Sequence, residues 1–233
     1  MHVPRHLIAN SLPRALAAIA ICLTLLAGSR AEAYGYAKDE DPLLKAFQAA
    51  IRAARSQAWP KARAQTAKVR WQLDELRQKE DLNLDFRQRF SAAHSKPTAA
   101  SVTQAWVNLV YLGLLQKLHW NLKEKLTKYH PSRARLEAAR AYYEVALAGN
   151  VRRNDALRRK KDPKAPSRHA DVVKQFAAAK KALGSPGLLG TGKRAPDPLA
   201  FKRASLRIAG HLRAVFPAFA RPGDPKKKSS PGQ

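Results

Sequence analysis

Apolar residues recur at intervals of three and four along most of the chain, and nowhere for long at intervals of two. The first spacing lays them along one stripe of a helix, whereas a half-buried strand would alternate. The pattern is clearest near the C-terminus. There Phe201, Ile208, Leu212, Val215, Phe216 and Phe219 share a stripe, and Lys202, Arg203, Arg207 and Arg213 fall mostly off it. Earlier stretches obey the same rule: Leu44, Phe47, Ile51 and Ala54; Ala62, Val69, Leu73 and Leu76; Leu136, Ala139, Tyr143 and Leu147; Val172, Phe176, Ala179 and Leu183. Each predicts an amphipathic helix with a single buried face.

Start signals agree with these stripes. Asp41-Pro42 and Asp197-Pro198 each offer a carboxylate acceptor at the N-cap and a proline at the first helical position, where its missing N–H costs nothing. Ser167 stands in the same relation to the Val172 stripe, and Pro60 and Pro131 open two further helices. Gly149-Asn150 predicts a helix end, because both residues tolerate the left-handed conformation. The stretch Ala105–Trp120 is apolar nearly all round and predicts a central, buried helix. Asn108, Gln116, Lys117 and His119 interrupt its apolar run below the length of a membrane span. Gly113 lowers helix propensity there, and its place is explained by a neighbouring helix that approaches closely. The expected fold is all-α, a bundle of about six or seven antiparallel helices or stacked helix hairpins. "DPLLKAF" and "DPLAFKR" begin alike but share no interior, so no internal repeat is assigned.

The N-terminus adds a compartment. Arg5 and Arg14 precede an uncharged, mostly apolar stretch from Ala15 to Ser29, followed by Ala31-Glu32-Ala33. That order is the pattern of a secretory signal peptide cut before Tyr34, placing the mature chain in the periplasm or outside the cell. The lone cysteine, Cys22, lies inside the apolar stretch and leaves with it, which excludes disulfides, thiolate metal sites and thioether haem in the mature chain. The expected organisation is a signal peptide over 1–33, a helical domain over 34–220 and a disordered basic tail over 221–233.

Charge narrows the function. Residues 34–85 hold 10 basic and 8 acidic side chains, whereas residues 86–233 hold 31 and 8. The excess peaks between Val151 and Lys164, where Arg152, Arg153, Arg158, Arg159, Lys160 and Lys161 form the candidate anion-binding site. An imbalance of that size destabilises the compact state by self-repulsion, and a polyanion relieves it. An exported chain meets lipid phosphates, anionic glycans, wall polymers and acidic proteins more often than nucleic acid. Trp106, Trp120 and Tyr143 moreover read as core, not as a base-stacking platform. The expected function is therefore binding of an anionic envelope component or an acidic partner protein, without a cofactor.

Other chemistry has weaker support. "GLLGTGKR", Gly187–Arg194, resembles a phosphate-binding loop in letters only, since Arg194 stands where the magnesium-binding hydroxyl belongs and a helix precedes it; it reads as a linker. Tyr129, His130, Tyr143 and Glu144 are the oxygen and nitrogen donors of an alternative, a periplasmic metal- or haem-binding accessory protein of metal uptake, with His119 or His211 as haem ligand. No nucleophile has an identifiable base at a motif spacing, and the chain does not read as an enzyme.

Overall fold

Asp41 and Pro42 begin the first helix as their chemistry dictates. In the computed structural model, which describes residues 41–78, 87–187 and 193–217, the Asp41 carboxylate accepts from the N–H groups of Leu43 and Leu44 at 2.9 and 3.1 Å and opens α1 (Pro42–Arg55). Residues 1–40, on which the expected signal peptide falls, and Phe219 and the basic tail lie outside the described residues. There follow α2 (Trp59–Lys68), α3 (Arg70–Gln78), α4 (Arg87–Ser95), α5 (Ala99–Lys123) and α6 (Tyr129–Tyr142). A π-helical turn, Tyr143–Leu147, joins α6 to α7 (Ala148–Lys161), and α8 (Arg168–Ala182) and α9 (Pro198–Val215) complete the order. Among the described residues the fold is an all-α bundle without strands.

The central helix is α5. Trp106, Leu109, Val110 and Leu114 have no exposed surface, and α1, α4, α6 and α9 all pack against this helix. The most extensive inter-helix contacts are within three hairpins, α1–α2, α5–α6 and α8–α9, followed by α1 on α5. Gly113 occupies the expected close approach: a Cβ there would lie 3.1 Å from the Tyr142 ring and 3.4 Å from Leu43. Of the aromatics read as core, Trp106 and Tyr143 are fully buried, while Trp120 is half-buried with the Lys123 ammonium 5.0 Å from its ring centre. Among the described residues, no helix is long and apolar enough to cross a membrane.

Two local expectations are corrected, and one helix was not foreseen. Gly149-Asn150 does not end a helix, because helical backbone continues from Tyr129 to Lys161. The π turn keeps the chain helical while shifting its register, so that Tyr142 and Tyr143, adjacent in sequence, are both buried and Val151 and Asp155 face inward one and two turns later. The stripe from Ala62 to Leu76 is two helices, broken at Val69, whose φ of −115° and ψ of 11° leave the α region. Beyond the break Gln72 is buried beside Leu73, its amide donating to Gln116 Oε1 at 2.7 Å. Finally, α4 buries only Phe90 and His94 among its described side chains, too few for a stripe to be visible.

Candidate anion-binding face

Arg152, Arg153, Arg159, Lys160 and Lys161 are all exposed on α7. At 100° per residue Arg159, Arg152, Lys160 and Arg153 occupy one continuous arc of the helix, with Lys161 beyond it. The buried residues Val151 and Asp155 define the opposite side. Arg158 points toward that side, where its guanidinium lies 3.6 Å from Asp155 and donates to the Pro166 carbonyl at 3.1 Å. Of the six cations, then, five present charge to solvent and the sixth is structural.

The local acids do little to neutralise that face. Asp155 is only 5% exposed and is committed to the start of α8. Its Oδ1 accepts from the Arg168 N–H at 3.1 Å, and its Oδ2 accepts from the His169 N–H and the Ser167 hydroxyl, both at 3.0 Å. Ser167 in turn accepts from the Ala170 N–H at 3.2 Å, as its N-cap position predicts. Two side chains from different helices thus satisfy three otherwise orphaned donors, and a negative charge sits at the positive end of the α8 dipole. Burial favours the neutral acid. The bonds from His169, Arg168 and Ser167, together with Arg158, outweigh it and hold the Asp155 carboxyl below the usual range. Asp162 is exposed and accepts from the Lys164 N–H at 3.0 Å, closing the turn after α7.

Two buried tyrosines anchor this arrangement. The Tyr143 hydroxyl shares a hydrogen bond with His169 Nδ1 at 2.7 Å with the rings stacked, and burial raises the phenol well above its ordinary value, so it keeps its proton. Tyr142 donates to Asp41 Oδ2 at 3.1 Å, linking the π turn to the N-cap of α1. Lys117 sits 5.2 Å from the Tyr142 ring centre; burial lowers its ammonium, partly opposed by Asp41 and Glu75. Both tyrosines serve packing and polar satisfaction.

The metal-donor set does not converge. Tyr129 and His130 begin α6, about 20 Å along the helix from Tyr143 at 1.5 Å per residue. Glu144 accepts from Arg140 at 2.8 Å, and Tyr143 is turned to His169. Among the described residues no three His, Cys, Asp or Glu side chains are placed to share an ion. His211 Nε2 lies 3.8 Å from Asp171 Oδ2.

The glycine-rich octet is placed as a connection between α8 and α9, with residues 188–192 outside the described residues. Ser185 and Arg194 exchange backbone hydrogen bonds of 2.9 and 3.0 Å across its base. Gly184 has φ of +76°, and a Cβ there would collide with the Arg194 carbonyl, so glycine is required to close the loop. Lys193 is exposed and opens no helix, since α9 begins at Pro198. The sequence did not single out Asp155 or His169, whose partners are distant in the chain. Ser167 carried the only readable signal, as an N-cap. No protein-family model matches the chain, and neither a curated protein nor a solved structure matches it.

Proposed function

We propose that this is an exported binding protein that holds an anionic cell-envelope polymer, or the acidic surface of a partner protein, against α7. The observation that carries the reading is the separation of charges within one helix: five cations face solvent while Asp155 is buried under the α8 N-terminus. A solvated face of ordinary composition would keep its acids among its bases. Here the arc from Arg159 to Arg153 carries four cations, Ala156 and no acid over about 12 Å of helix, and its repulsion falls when anions bind. The overall excess of Lys and Arg after residue 85 extends the same field over the rest of the molecule.

Titrations of the mature protein with heparin or lipopolysaccharide across a salt series test this. Affinity is expected to fall steeply with salt as counterions are released. Changing Arg152, Arg153, Arg159, Lys160 and Lys161 to Gln should flatten the slope with the helical signal intact, since none of the five is buried. Arg158 is left in place because it pairs with Asp155. Salt-independent binding, or an equal loss on removing Lys226–Lys228, would sink the assignment to α7. N-terminal sequencing of the native protein should begin at Tyr34, and a retained Met1 would remove the export on which the ligand class rests.

A further inference from the structure

A groove of about 790 Å³ opens between α2 and α3 on one side and α4 on the other, away from the α7 face. Its volume lies within the roughly 300–1,000 Å³ usual for small-molecule sites. Arg63 and Thr66 line it from α2 and Arg70 from α3 across the break at Val69, while Phe90 and His94 are one turn apart on α4. Leu73 and the Phe90 ring, which packs edge-on to Trp106 at 5.0 Å, make an apolar floor.

Beneath the groove His94 is 5% exposed, and its buried Nε2 has no hydrogen-bond partner among the described residues. Burial, then the Arg63 charge, lowers its imidazole, so the ring is neutral near pH 7. Arg63 donates one guanidinium N–H to the His94 carbonyl at 2.8 Å, which ties α2 to the end of α4 and fixes the guanidinium at the groove. Arg70 makes no ion pair or hydrogen bond with its side chain among the described residues. Among the described residues, Asp74 also lines the groove.

We infer that this groove is a binding site for a small, apolar-bodied anion, a carboxylate or sulfonate whose head meets Arg63 and Arg70 and whose body lies on Phe90 and Leu73. Guanidinium pairs match such heads in a planar, two-bond geometry. None of its described lining residues belongs to α7, and the inference does not rest on the function proposed for that face.

The test uses the mature protein and anilinonaphthalene sulfonate as probe, followed by calorimetry and fluorescence. One dye per chain is expected, displaced by octanoate and not by inorganic phosphate at equal concentration. Arg63→Gln with Arg70→Gln should weaken dye binding by about tenfold or more, the scale of one lost charged hydrogen bond. Ser91→Trp, at an exposed position on the groove wall, should block it by filling the space while the melting transition is kept. Neutralising the α7 cations separates the two sites, since dye binding should persist when polymer binding is lost. Multiple weak dye sites, affinity unchanged in the Arg63/Arg70 and Ser91 variants, or equal competition by phosphate would each overturn the inference.

Discussion

Two helical glycines show how far a residue's role depends on what stands opposite it. Gly113 faces the Tyr142 ring, whose hydroxyl is bonded to Asp41 and whose face carries Lys117, so the ring has little freedom to retreat. Gly149 faces nothing within 4 Å. Alanine is the better helix former at both, by about 1 kcal/mol. Gly149→Ala should therefore stabilise by roughly 0.5–1 kcal/mol, while Gly113→Ala should destabilise by about 1 kcal/mol because overpacking exceeds the propensity gain. Thermal denaturation of both variants decides the matter, and a raised melting temperature for Gly113→Ala would show that the Tyr142 ring yields.

At the scale of elements, the N-terminus of α8 is held by a residue from α7. Asp155 accepts three hydrogen bonds there, so Asp155→Asn should cost about 1–2 kcal/mol near pH 7, through loss of the charge and of one strong acceptor. The pH dependence follows from the direction of its shift. A carboxyl held below its unfolded value of about 3.9 contributes stability that is fully present above that value and is lost as pH falls through the folded one. The gap between wild type and Asp155→Asn should accordingly be constant from pH 7 down to about 5 and close below about 4. Denaturant melts across that range measure it, and a gap that widens in acid would mean that the carboxyl is not stabilised in its charged form.

For the whole molecule the governing quantity is the excess of cations beyond residue 85. Raising salt from about 10 to 150 mM shortens the Debye length from roughly 30 to 8 Å. The melting temperature of the chain beginning at Tyr34 should therefore rise over that interval as self-repulsion is screened. The variant with Gln at positions 152, 153, 159, 160 and 161 should begin higher and respond less. A melting temperature indifferent to salt in both proteins would show that the cations are too dispersed to act together.

Helices were legible wherever one face is buried, because the period of the apolar residues depends on local geometry alone; α1, α8 and α9 run close to their stripes and start at their predicted caps. Gly113 was readable as a contact, though not which ring it meets. The π turn, the break at Val69 and the short helix α4 were not readable, since each is set by which neighbours the side chains must reach: Tyr143 to His169, Gln72 to Gln116, Phe90 to Trp106. The candidate sites divide in the same way. A run of arginine and lysine is visible as composition, but the withdrawal of Asp155 and Arg158 from it depends on where the start of α8 lies. The groove brings Arg63 and Arg70 near His94, and the bond from Arg63 to the His94 carbonyl joins α2 to α4 across 31 residues of sequence. Local order thus followed from the sequence because it repeats within one or two turns, whereas charge pairing and cavities were decided by tertiary structure because their partners are distant along the chain.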